Sequence, residues 1–211
     1  MPEGPEVWIL SQAINAAQIG ITTRSFGKHL LVKHADGTIE DWSFGLNGRV
    51  NIDSENKLNK VNAGWIPGDV IQIKDWNSES TRFGKDWMNA SEEELQDIIL
   101  KWVKSKKKVA GLMLEQSMIA GIGVAWGSEI LFRADVRPDG RGCDQILKNL
   151  LKSMIEVREE IKKSYLDLLE KNKDNIKSFV NEWFYNLYDE RNMKIYKVGS
   201  QVKVLGRNWW V

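Results

Sequence analysis

Apolar residues recur along this chain in two rhythms. Val7, Leu10, Ile14 and Ala17 are spaced for one face of a helix, and Gly20 ends the pattern. Short runs with strand character follow: Ile21 to Phe26, Leu30-Leu31-Val32, Thr38 to Trp42 after a turn at Asp36-Gly37, and Arg49 to Ile52. Pro67-Gly68-Asp69 then turns the chain into Val70-Ile71-Gln72-Ile73, another short strand. This half is expected to form a β-rich layer with one helix against it.

Helical spacing takes over in the second half. Ser91 and Glu94 make a capping box ahead of Leu95, Ile98, Ile99 and Trp102, and that helix runs out into Lys104-Ser105-Lys106-Lys107-Lys108. From Asp144 onward, Ile146, Leu150, Met154, Val157 and Ile161 mark a long amphipathic helix, continued by Leu168 and Leu169 and broken near Asn172-Lys173-Asp174. A further helix from about Ile176 to Tyr188 carries Phe179, Trp183, Phe184, Tyr185 and Tyr188, which suit core packing. Lys194 to Gly199 and then Val202 to Val211 alternate like the arms of a hairpin. The expected fold class is α+β, with a β-sandwich-like domain and its helix over 1–88, a helical domain over 89–190 and a terminal hairpin over 191–211.

With 211 residues, 42% of them hydrophobic, the chain can bury one large core or two small ones. No apolar run reaches membrane-spanning length, and the amino terminus lacks the basic and apolar regions of a secretion signal. A cytoplasmic location is expected, or a nuclear one in a host with a nucleus. Cys143 is the single cysteine, and His29 and His34 are the only histidines. Neither a disulfide nor a cysteine zinc site can be built within one chain, and no cofactor is expected. The net charge is only +1, so attraction to a polyanion must come from local clusters such as the lysines ending at Lys108.

The densest chemistry lies at the start, in Met1-Pro2-Glu3-Gly4-Pro5-Glu6-Val7. Removal of Met1 would leave a free secondary amine on Pro2. An α-amino group has a reference pKa of roughly 7.7–8.0, against about 10.4 for a lysine side chain, so a useful fraction is neutral near physiological pH. Such an amine can attack an aldehyde-level carbon and form a Schiff base. Glu3 and Glu6 are carboxylates placed to move protons, Pro5 suits the first turn of a helix, and Glu6 complements the positive helix end. The same residues also fit a frayed terminus ahead of a surface helix.

Pro-Glu-Gly-Pro-Glu-Val resembles the amino terminus of the Fpg/Nei family of DNA glycosylases. The resemblance implies that Pro2 attacks the sugar carbon of a damaged nucleotide, that Glu3 protonates the sugar, that Glu6 helps organise the site, and that the strand is then cut by elimination. Four later segments follow in family order. Gly27-Lys28-His29-Leu30-Leu31 resembles a segment whose lysine, here Lys28, grips phosphate beside the lesion. Phe44-Gly45-Leu46-Asn47-Gly48 resembles a turn whose third residue fills the gap left by an everted base, a role an apolar Leu46 suits. Thr81-Arg82-Phe83-Gly84 resembles an Arg-Arg-Phe-Gly segment, with Phe83 as a stacking residue. Val109 to Gly123, continuing to Pro138, resembles the family's helix-two-turn-helix motif. There Gly121 and Gly123 would let backbone amides approach a phosphate, with a helix amino terminus behind them and Lys108 ahead.

Three departures qualify the resemblance. Thr81 stands where relatives carry the arginine that contacts the orphan base, which favours single-stranded or loosely paired substrates. Val124 stands where relatives carry a phosphate-binding asparagine, which weakens binding. All four zinc-binding cysteines of the family's finger are missing, yet Gly206-Arg207-Asn208-Trp209-Trp210 resembles its second strand. The resemblance therefore implies a metal-free finger with Arg207 on phosphate and Trp209 and Trp210 packing in place of metal.

On this reading the chain is expected to be a monomeric bifunctional DNA glycosylase and abasic-site lyase of Nei-like type. Its partner would be damaged DNA, double- or single-stranded, with no membrane. The alternative is a catalytically weak or inactive module that binds DNA damage.

Overall fold

The computed structural model describes residues 2–46, 48–62, 66–77, 82–141, 144–189 and 193–211, except the side chains of 144–147, 184–186 and 188–189. These form a mixed α/β fold divided into two compact units. Unit one is Met1–Arg82 with Lys162–Arg191, and unit two is Phe83–Ile161 with Asn192–Val211.

Unit one begins with helix α1 (Gly4–Ala16), which buries Val7, Trp8, Ile9, Leu10, Ala13 and Ile14. Strands β1 (Thr22–Phe26), β2 (His29–Lys33) and β3 (Ile39–Ser43) follow. Hairpin β4 (Gly48–Ile52) and β5 (Leu58–Asn62) comes next, and β6 (Val70–Ile73) then returns to pair with β3. The main sheet has the order β1-β2-β3-β6 and is antiparallel throughout, in the register Thr22↔Lys33, His29↔Ser43 and Ile39↔Ile73. α1 packs on β1 and β2, and Asn15 fastens it by accepting from the Thr23 amide at 2.7 Å and donating to the Thr23 carbonyl at 2.9 Å.

In unit two, β7 (Lys85–Asp86) pairs in parallel with β8 (Ile119–Ala120). Between them lie α2 (Glu92–Val103) and the short α3 (Val109–Met113); after β8 come α4 (Val124–Arg133) and α5 (Asp144–Lys171). The expected capping box on α2 is formed: the Glu94 amide donates to Ser91 Oγ at 3.2 Å and the Ser91 amide donates to Glu94 Oε2 at 3.0 Å. α5 buries Leu150, Met154, Val157 and Ile161 on one stripe. It also buries Arg158, whose Nη1 donates to the carbonyls of Trp87 and Ala90 at 3.3 and 2.6 Å.

The residues of α5 from Lys162 onward belong to unit one. A 3₁₀ turn (Lys173–Asn175) ends α5 at the expected break, and α6 (Ile176–Asp189) packs on α1 and β4. Asn181 of α6 accepts from the Ile52 amide and donates to the Ile52 carbonyl. Trp183, fully buried, meets Phe44 edge to face with ring centroids 5.7 Å apart.

The chain closes in unit two with hairpin β9 (Gln201–Val204) and β10 (Arg207–Trp210), in the register Arg207↔Val204 and Trp210↔Gln201. Its extent corrects the expectation that Lys194 to Gly199 forms the first arm. Those residues are turns. The amides of Lys194 and Ile195 are taken up by the Glu129 carboxylate, and Lys197 adopts φ +65, which a strand does not tolerate.

Candidate functional site

The amino-terminal carboxylates are built into the first turn of α1. Glu3 sits at the helix boundary in extended conformation (φ −110, ψ −178), with Pro5 just inside, where its missing N–H costs nothing. Pro2, Glu3, Gly4, Pro5 and Glu6 are all buried, so this is no frayed terminus. Glu6, only 1% exposed, accepts from the Glu3 amide through Oε2 at 2.8 Å and from the Tyr165 hydroxyl through Oε1 at 3.2 Å. Both carboxylate oxygens are thus held, one by the helix start and one by a buried phenol of α5. Glu6 is a fixed anchor for the Glu3 backbone.

Lys28 occupies the two-residue turn joining β1 to β2, where Gly27 takes φ +57 and Phe26 faces His29. Its neighbour His29 places Nδ1 2.7 Å from Oδ1 of the buried Asp41, whose Oδ2 lies 3.2 Å from Arg82 Nη1. A carboxylate shared by an imidazole and a guanidinium stiffens the strand next to Lys28. Leu46, half-buried, lies in the turn from Phe44 to Gly48. The Gly48 amide donates to Phe44 O at 2.7 Å and the Leu46 amide to Ile66 O at 3.2 Å. Gly45 is required there: its φ is +56, and a Cβ would lie 2.1 Å from Ile66 O.

The other expected site residues belong to unit two. Phe83, half-buried, precedes Gly84, whose amide donates to Gln116 O and whose Cβ position lies 2.1 Å from the Met118 carbonyl carbon. Gly121 (φ +100) and Gly123 are buried, and Gly123 heads α4 in extended conformation. Gln116 ties this turn together: Nε2 donates to Ile122 O at 3.1 Å, and Oε1 accepts the Gly121 amide at 3.0 Å. The Gly121 N–H is therefore committed inside the turn. Val124 is the first residue of α4 and brings no side-chain donor.

Lys108 is exposed at the start of α3, and its backbone bridges to Arg141. Lys107 pairs with Glu115 at 2.8 Å. Arg207 is exposed and opens β10 directly after the turn residues Leu205 (φ +50) and Gly206 (φ +74), the left-handed pair a two-residue hairpin turn demands. Thr81, the position expected to face the orphan base, lies outside the described residues.

Sequence reasoning missed Tyr165, Gln116 as a clamp, Asp41, and above all Glu129. Only Glu129 carried a signal: a lone acid within the apolar run Trp126 to Leu131. Among the described residues, no group of three or more His, Cys, Asp or Glu side chains is placed to hold a metal ion. No helix among them is long and apolar enough to cross a membrane.

No family model matches the chain, and no curated protein matches it in sequence. Solved structures do match. Lactococcus lactis formamidopyrimidine-DNA glycosylase, non-covalently bound to DNA containing an abasic site, superposes with a TM-score of 0.71 at 15% identity, over 99% of this chain and 96% of that one. MutM in complex with DNA carrying carbocyclic 8-oxo-G gives 0.70 at 16% identity, over 99% and 97%. MutM from Thermus thermophilus gives 0.70 at 15%, over 99% and 96%. A likeness that runs through nearly the whole of both chains covers both units and the terminal hairpin, so this chain has the fold of the Fpg/MutM formamidopyrimidine-DNA glycosylases.

Proposed function

We propose that this chain is a DNA repair glycosylase of the Fpg/Nei family, with abasic-site lyase activity and damaged DNA as its partner. The observation that carries the reading is the buried Pro2-Glu3-Glu6 constellation, tied to Tyr165, at the head of a chain with the fold of proteins crystallised on abasic and 8-oxo-G DNA. Once Met1 is removed, the Pro2 amine adds to the anomeric carbon of an everted nucleotide and the base departs with the glycosidic electron pair. Glu3 protonates the ring oxygen, which opens the sugar to a Schiff base. Loss of a proton from the neighbouring carbon then expels the 3′ phosphate, a second elimination expels the 5′ phosphate, and water releases Pro2. Lys28 and Arg207 hold the flanking phosphates, while Leu46 and Phe83 occupy the vacated stack.

The hairpin Gln201–Trp210 fits the role of a finger without zinc, because Trp209 is fully buried against Gly127 instead of being organised by cysteines. Such an enzyme would work where DNA is, in the cytoplasm or the nucleus. Oxidised pyrimidines and hydantoins are the substrates we infer. The second reading, a damage-binding module without catalysis, is favoured only by Val124 and Thr81 in place of DNA-contacting residues.

Glu3→Gln separates the two. An abasic site is a hemiacetal in equilibrium with its open aldehyde, so the Pro2 amine can capture the open form without an acid from the protein. The variant should lose excision of an oxidised base by at least about 100-fold while still cutting abasic DNA. A wild-type chain that binds both substrates and cuts neither would support the binding module instead.

A further inference from the structure

Helix α4 holds the carboxyl-terminal segment through three consecutive residues, two of them on the hairpin and one on the lead-in to it. Gly127 leaves room for the Trp209 ring, because a Cβ there would lie 3.0 Å from Trp209 Cζ3. Ser128 Oγ accepts the Trp210 amide at 3.1 Å. Glu129, wholly buried, accepts the amides of Lys194 and Ile195 through Oε2 at 2.8 and 3.1 Å, while its Oε1 takes Arg133 Nε at 2.8 Å. Arg133 passes the pair outward to Glu160 at 2.6 Å. Burial pulls the Arg133 guanidinium down, but its hydrogen bonds to the Glu129 and Glu160 carboxylates, with their charge, outweigh it and hold the group above its ordinary value.

A buried carboxylate is costly unless its lone pairs are filled, and here two backbone amides and a guanidinium fill them. The two amides belong to the segment that leads into β9, upstream of the Ser200–Val211 backbone pair that closes the open end of the hairpin. Gly123, at the other end of the same two turns, caps α4 and closes the glycine turn. One helix therefore carries both the turn and the anchor of the strand bearing Arg207.

We propose that Glu129 is a positioning residue for DNA: it fixes the lead-in of the hairpin to α4, so that Arg207 and the glycine turn meet the phosphate backbone as one preorganised unit. The DNA part rests on the proposed function; the anchoring part does not. Preorganisation of this kind lowers the entropy lost on binding, since the donors are already in place.

The test uses the full chain carrying Glu129→Gln, Arg207→Ala or both, with Ser128→Ala as a milder variant that removes only the Trp210 acceptor. Hydrogen exchange of 193–211 reads the anchor, and affinity for a duplex with a tetrahydrofuran abasic analogue reads the positioning. Glu129→Gln should speed exchange at Lys194, Ile195 and the hairpin amides at least about tenfold and weaken binding about tenfold. In the Arg207→Ala background, Glu129→Gln should weaken binding no further, because a residue that acts through Arg207 has nothing left to position. Ser128→Ala should shift both readouts in the same sense by less, which keeps the test valid if Glu129→Gln folds poorly. Unchanged exchange in both variants overturns the anchor, and additive losses in the double variant overturn the positioning. If Arg207→Ala itself binds like wild type while Glu129→Gln loosens the hairpin, the anchor stands and the phosphate role of Arg207 falls.

Discussion

The Tyr165 hydroxyl donates to Glu6 Oε1 at 3.2 Å across 159 residues of sequence, and both residues are buried. The bond places the unit-one part of α5 directly behind the amino-terminal turn. Glu6 in turn holds the Glu3 amide, so the orientation of the first residues depends on a phenol that no local motif announces. Tyr165→Phe deletes one oxygen and leaves the ring packed. Stability should fall by about 1–2 kcal/mol. Covalent trapping on abasic DNA should slow by roughly tenfold, because a misdirected amine wastes encounters. Urea unfolding and single-turnover trapping at saturating DNA check the two effects separately. A variant that loses stability but traps at the wild-type rate would limit Tyr165 to packing.

Gln116 supports the glycine turn from inside. Gln116→Ala leaves the Gly121 amide and the Ile122 carbonyl without their partner, a loss of about 1–3 kcal/mol. If the turn holds DNA backbone as proposed, and not the reacting sugar, DNA binding should weaken more than trapping at saturation. Titration of an abasic-analogue duplex at two salt concentrations, alongside saturated trapping rates, measures the split.

Gly45 sets the turn that presents Leu46. Gly45→Ala must accommodate a Cβ 2.1 Å from Ile66 O at a backbone angle that L-residues resist, at a cost of about 1–3 kcal/mol. If Leu46 fills the gap left by an everted base, excision from duplex DNA should drop about tenfold more than excision of the same lesion from a single strand, where no stack has to be held open. Equal losses on the two substrates would remove Leu46 from that role.

Much of the fold was legible in period and punctuation. α1, β1 to β4, β6, α2 and α5 follow their apolar spacing, and Ser91-x-x-Glu94 caps α2 as its chemistry requires. Strand β5 was not legible. Leu58-Asn59-Lys60-Val61-Asn62 has little apolar alternation, and it is set by the preceding turn, where Asp53 Oδ1 accepts the amides of Glu55 and Lys57 and Asn56 takes φ +64. Periodicity also marks a buried stripe without saying what buries it. The return of 162–191 to unit one, and with it the pairing of Tyr165 with Glu6, is not legible in the spacing for that reason.

The candidate site was legible where it depends on residue identity and hidden where it depends on distant pairing. Pro2, Glu3, Glu6, Lys28, the glycines and Arg207 stand in motifs. Their supports do not: Gln116 acts by clamping a turn from within, and Glu129 acts on amides 65 and 66 residues away. The misjudged first arm of the hairpin has the same origin, since alternating residues from Lys194 to Gly199 lose their ladder to a carboxylate from another element.

Borohydride trapping tests the central claim most directly. Protein whose intact mass shows the loss of one methionine is mixed with abasic duplex and sodium borohydride. The account predicts a covalent protein–DNA adduct that Pro2→Gly greatly slows or abolishes. No adduct from the methionine-processed native chain would contradict it.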